Sequence, residues 1–254
     1  MQRLQRLNLS PQTINGIDSN PVTRKQVKLY GDTFNLGAPL DPDELDIFKA
    51  QFATLLAAPG SEERKLMLDR LPQYVIALRA IKHALGGPKF NGINPEDTEI
   101  GFGHIRPQFT HAGVATYKYT WVVVLAALAA WTDWLFEAAG APYAIGRDFG
   151  LCVTHLKSLV TPNPFMAEAR FEVGRTGVLI PIDTRALRQA DTENNVAIIP
   201  IPSMILIPQA SFYAQAKSDL AAASTEEMAL GGLIIGKGRV LKEAASAAAP
   251  ATWV

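Results

Sequence analysis

The sequence predicts an α+β protein with an extended N-terminal arm, a helical N-terminal half and an antiparallel, β-sandwich-like C-terminal half. Three observations carry this. Apolar residues recur at helical spacing between Asp41 and Leu85. From Phe165 the period changes to two, with Ala169, Phe171 and Val173 alternating with Glu168, Arg170 and Glu172. Pro, Gly and Asx turns then cut the rest of the chain into short apolar runs. The resulting divisions are an arm over 1–40, a mainly helical region over 41–164, an antiparallel β region over 165–243 and a flexible tail over 244–254.

The arm lacks a sustained helical period and holds Pro11, Gly16, Pro21, Gly31, Gly37 and Pro39. Arg3, Arg6, Arg24, Lys25 and Lys28 stand there against Asp18. Such an arm drapes its own domain, reaches a neighbouring subunit or contacts nucleic acid. Basic residues without interleaved aromatics fall short of a phosphate-binding surface.

Asp41-Pro42-Asp43-Glu44 is a helix start: an oxygen cap, a proline at the first helical position and acids at the positive dipole end. Leu45, Phe48, Phe52, Leu55 and Leu56 share its face, and Pro59-Gly60 ends it. Ser61 caps the next helix, and Pro72 imposes a kink or a fresh start. Tyr74, Leu78, Ile81 and Leu85 form a further stripe. Residues 86–112 read as a long loop, and 114–139 as the most apolar helix, carrying Trp121, Trp131 and Trp134 on one side as a core or subunit-interface face. Phe149, Cys152, Val153, Leu156, Leu159 and Val160 give one more helical stripe. Strands follow over 169–173, 178–182, 196–201, 204–207, 211–217 and 228–241, with Pro200, Pro202 and Pro208 confined to edges or bends.

Composition excludes several classes. The chain is 48% hydrophobic and 19% charged, as a buried core requires and disorder does not. Its formal net charge of +0 gives no global field for nucleic acid or anionic membrane and favours association. The single cysteine, Cys152, excludes an internal disulfide and a Cys-rich zinc site. The N-terminal stretch, residues 1–9, lacks the apolar segment of a signal peptide. The uncharged run 119–132 falls short of the ~20 apolar residues of a spanning helix, so it reads as buried, with membrane association as the alternative.

No motif specifies a reaction or a cofactor. Gly231-Gly-Leu-Ile-Ile-Gly-Lys237-Gly238 nearly spells a phosphate-binding loop, yet Gly238 replaces the magnesium-holding Ser or Thr and Leu-Ile-Ile is β-forming. A glycine-rich strand or bulge is the plainer account. His104, Arg106 and His111 lie in one Gly- and Pro-rich segment, either a ligand or proton-transfer site or a hydrogen-bonded interface loop. Cys152 and His155 stand three apart, as a nucleophile pair would on a helix, but Cys152 falls on the apolar stripe.

Two segments carry a resemblance: Leu206-Ile-Pro-Gln-Ala-Ser-Phe-Tyr-Ala-Gln-Ala-Lys-Ser-Asp219 and Thr225-Glu-Glu-Met-Ala-Leu-Gly-Gly-Leu-Ile-Ile-Gly236. They resemble the closing strands of viral and phage β-sandwich virion proteins, in which an Ile-Pro corner opens a strand that returns through a polar loop. The resemblance implies a structural role in a particle and assigns no catalytic residue. The expectation is a self-assembling structural protein, a virion capsid, shell or accessory subunit, forming a homo-oligomer or larger assembly without enzymatic activity. The alternative is a small-molecule binder or enzyme with its site at 101–111.

Overall fold

The computed structural model describes residues 17–19, 26–29, 32–48, 55, 61–87, 99–111, 120–159, 166–174, 179–185 and 198–245. Strands β1 (Ile17–Ser19), β2 (Gln26–Leu29) and β3 (Asp32–Asn35) form an antiparallel meander. The predicted arm therefore contains a small sheet; its basic residues Arg3, Arg6, Arg24 and Lys25 lie outside the described residues.

Among the described residues, α1 (Pro42–Ile47), α2 (Ser61–Asp69) and α3 (Leu71–Ala84) follow. At the start of α1 the Glu44 carboxylate accepts the Asp41 N–H at 2.9 Å, half of a capping box. Glu44 is buried and also accepts Arg79 Nε at 2.9 Å and Nη2 at 2.7 Å, which ties α1 to α3. Pro72 sits in the first turn of α3, so the proline restarts the helix there.

Among the described residues, ten further strands build two antiparallel sheets. One holds β8 (Phe149–Ser158), β11 (Ile198–Leu206), β13 (Ser224–Lys237), β4 (Ile100–His104) and β5 (Val122–Leu125). The other holds β9 (Met166–Val173), β10 (Ile180–Asp183), β12 (Ser211–Ser218), β6 (Thr132–Leu135) and β7 (Tyr143–Ala144). The two share a core in which Leu151, Val153, Leu230 and Ile234 meet Trp134, Ala169, Phe171 and Phe212. The opposite face of the first sheet packs on the helices: Cys152, Leu233, Ile235, Ile100 and Phe102 lie against Tyr74, Val75, Leu78 and Ile81. The layers run helices, sheet, sheet. Pro200 and Pro202 are on β11 and Pro181 on β10, each an edge strand where a missing N–H costs least.

Two helix expectations are corrected. Among the described residues of 114–139 the chain forms β5, a turn and β6, so Trp121, Trp131 and Trp134 share no helix face. Val122, Val123 and Val124 are β-branched, and Leu128 and Ala129 take left-handed φ of 54° and 62°, which reverses the chain. The stripe at 149–160 is strand β8, nearly all of it buried because a sheet covers one face and α3 the other. A strand covered on both faces loses its alternation and imitates a buried helix.

Three smaller corrections follow. Residues 100–104 of the expected loop are strand β4. The runs at 196–201 and 204–207 join as β11 through an irregularity between Pro200 and Met204. The last strand ends at Lys237, and α4 (Gly238–Ala245) replaces the start of the expected tail. Among the described residues no helix is long and apolar enough to cross a membrane.

Candidate functional site

His155 and Lys157 of β8 lie on the helix-facing side of the first sheet, and a bulge puts them there. On β8, Val153 pairs with Gly232 and His155 with Gly231, leaving Thr154 as the extra residue. Thr154 and His155 therefore point the same way, and Thr154 Oγ1 lies 3.1 Å from His155 Nδ1. Tyr74 OH of α3 lies 2.9 Å from the same hydroxyl. His155 Nε2 reaches Glu63 Oε1 of α2 at 3.0 Å. Lys157 Nζ donates to both Glu63 oxygens, at 3.1 and 3.2 Å. The His155 side chain is 0% exposed.

Burial pushes the Glu63 carboxyl up, but the His155 hydrogen bond and the Lys157 charge outweigh it and hold its pKa at about 2. Glu63 is thus a permanent anion at neutral pH. Burial drives the Tyr74 phenol far up.

The glycines of the phosphate-loop-like run serve this bulge. A Cβ on Gly231 would overlap the His155 imidazole. Gly232 has φ +138°, and a Cβ there would overlap the Cys152 carbonyl oxygen. Lys237 donates to Asp148 Oδ1 at 2.6 Å, and Arg239 Nη2 donates to Asp148 Oδ2 at 2.9 Å. The lysine of the motif is spent on an ion pair.

His104, Arg106 and His111 do not converge. His104 pairs with Leu233 on β13 and faces the helices. Its Nε2 is buried with no hydrogen-bond partner among the described residues, and burial lowers its pKa. Arg106 is exposed. His111 turns into the core between the sheets. Its Nε2 donates to the Trp134 carbonyl at 3.0 Å, and Nδ1 lies 3.2 Å from Thr110 Oγ1. Burial lowers the pKa of His111 too, which keeps the ring neutral.

The tryptophans separate likewise. Trp121 Nε1 donates to Thr110 Oγ1 at 3.1 Å, and Trp134 Nε1 donates to the Trp121 carbonyl at 3.3 Å, both in the core. Trp131 alone lies on the outer face of the second sheet. The Arg170 guanidinium sits 4.0 Å and the Lys217 ammonium 4.8 Å from its ring centroid. Beside it, Asp133 accepts from Tyr213 OH and from Gln215 Nε2 at 2.8 Å, and Arg170 Nε donates to Gln215 Oε1 at 2.8 Å. Burial raises the Asp133 carboxyl, but these hydrogen bonds bring it below the usual carboxylate range. This platform escaped the sequence reading, since its members come from three strands. The polar alternation of β9 and β12 was its only trace.

Cys152 and His155 form no nucleophile pair. The Cys152 thiol points to the Gln73 carbonyl at 4.0 Å, and burial pushes it up to about 12. Among the described residues no three His, Cys, Asp or Glu side chains converge to hold a metal ion.

No protein-family model matches the chain, and no curated protein matches its sequence. A solved structure described as infectious bursal disease virus, Gx strain, is similar to it at 12% identity and TM-score 0.28, over 55% of this chain and 33% of that one. The chain spans about a third of the length of the viral chain it matches. At that TM-score the likeness carries no argument.

Proposed function

We propose that the protein is a self-assembling structural subunit, a virion shell or accessory protein, with no catalytic activity of its own. The observation that supports this best is the contrast between its two sheets. The first packs under α2 and α3, and its His155 and Lys157 are engaged with Glu63 of α2. The second turns outward a half-exposed platform of Trp131, Arg170, Gln215 and Asp133. Trp and Arg dominate the energetics of protein interfaces, and a flat strand face held by internal hydrogen bonds loses little entropy on docking. The basic N-terminal arm is proposed as a second contact, with a neighbouring subunit or with packaged nucleic acid.

The test is light scattering after size exclusion, with negative-stain imaging of the same fractions. A defined oligomer or regular particles are expected, and Arg170→Glu is expected to dissociate them while leaving the far-UV spectrum unchanged. A strict monomer over a wide concentration range would sink the reading.

A further inference from the structure

One end of the sandwich is capped by two turns whose tips are apolar. The β5–β6 turn runs Ala126-Ala-Leu-Ala-Ala-Trp131, and the β12–β13 turn contains Leu220-Ala-Ala-Ala223. Backbone bonds sew them together: Leu128 N–H donates to the Leu220 carbonyl and Ala129 N–H to the Ser218 carbonyl, both at 2.9 Å. Leu128 is 72% exposed, and Val124, 64% exposed, continues the apolar surface along β5. Ala126, Ala129 and Ala130 are exposed beside them.

Neither folding nor solubility gains from this arrangement. Left-handed φ at Leu128 and Ala129 is strained where Asn-Gly would cost little. An uncharged apolar tip on a chain of net charge +0 also invites aggregation. A strained, exposed apolar turn is therefore explained by what it touches.

We propose that this tip inserts into the interfacial layer of a lipid bilayer, as a peripheral contact. Its backbone suits transfer out of water, because the N–H groups of Ala126, Leu128 and Ala129 are already bonded, the first to Thr132 Oγ1 at 3.2 Å. Its base carries an interfacial belt: Trp131 lies where the turn enters β6, beneath Arg170 and Lys217. Lys217 is also paired with Glu168 at 3.0 Å, and Asp219 stands beside the second turn, so apolar insertion rather than net charge drives binding. Two short turns present far less than the ~800 Å² each partner buries in a stable protein interface, which favours the bilayer over a second copy.

Flotation of the full chain with phosphatidylcholine vesicles, and with vesicles also containing phosphatidylserine, tests the proposal. The protein is expected to float with both. Leu128→Asp is expected to cut the floated fraction about tenfold or more, since a charge replaces the leading apolar group. Asp tolerates left-handed φ, so the fold is retained, as an unchanged thermal melt should confirm. Leu128→Cys, labelled with a polarity-sensitive dye, gives a local readout because Cys152 is buried; the emission should shift to the blue on vesicle addition. Failure of the unmodified chain to float, flotation of Leu128→Asp at the same level, or an unshifted label would each overturn the proposal. So would dissociation of a lipid-free oligomer by Leu128→Asp, which would make the tip a protein contact.

Discussion

Gly231 and His155 face each other across the β13–β8 pair, and the imidazole occupies the space that a side chain at Gly231 would need. The glycine lets His155 lie flat on the sheet and reach Glu63 on α2 at 3.0 Å. A local backbone choice on one strand thus sets how the helical layer is anchored.

Gly231→Ala is expected to destabilise the fold by about 2–4 kcal/mol, because it evicts the ring and leaves the buried Glu63 anion short of a partner. Urea unfolding measures this directly. A loss below about 0.5 kcal/mol, the ordinary level for surface substitutions, would show that the ring has no fixed seat.

Acid should weaken the protein in two windows. His104 and His111 have folded pKa values below the ordinary 6.5, so the unfolded chain takes up their protons first. Their contribution is complete above pH 6.5 and falls as pH drops below it. Glu63 is lowered from 4.5 to about 2, so its contribution is present above pH 4.5 and is lost as pH falls toward 2. Glu63→Gln should remove about one proton of pH dependence from the lower window, and, because the Glu63 charge raises the His104 pKa, it should also lower that pKa further. Stability measured from pH 7 to pH 2.5 checks both, and an unchanged slope in the variant would contradict the assignment.

Ala129→Gly should stabilise the chain by about 0.5–1 kcal/mol, because relief of the left-handed φ exceeds the extra freedom glycine has when unfolded. A thermal melt of the variant decides it, and a lowered midpoint would mean that the turn is not strained.

Thr110→Val keeps the side-chain shape but removes the acceptor of the Trp121 indole N–H. A buried donor without a partner costs about 1–3 kcal/mol, and a blue shift in tryptophan emission should accompany the loss. An unaffected melt would mean that water replaces the hydroxyl.

Trp131→Ala should change the stability of the isolated subunit by less than about 1 kcal/mol, since the ring is half exposed and its cation contacts are weak in water. Its effect on assembly is read as the oligomer distribution by light scattering. An unaltered distribution would remove Trp131 from the proposed contact face.

Local chemistry alone determined several elements. Asp41 to Glu44 announces the start of α1, Pro72 the fresh start of α3, and the alternation around Phe171 and Phe212 the strands β9 and β12. Each carries its signal within a few residues, as a cap, a missing N–H or a half-buried face. Failure of the phosphate-loop reading at Gly238 was equally legible, because the magnesium ligand is a matter of one side chain.

Tertiary structure decided the rest. Strand β8 and the 120–139 segment are apolar without a clear period, and such a run suits a helix or a doubly covered strand equally well. Pairing to β13 and burial under α3 resolve the first, while β13, β12 and the left-handed turn at Leu128 resolve the second. The Glu63–His155–Lys157 cluster and the Trp131 platform draw on residues far apart in the chain. The bulge at Thr154 that unites the first is a property of two strands in register, so no single stretch of sequence could announce it.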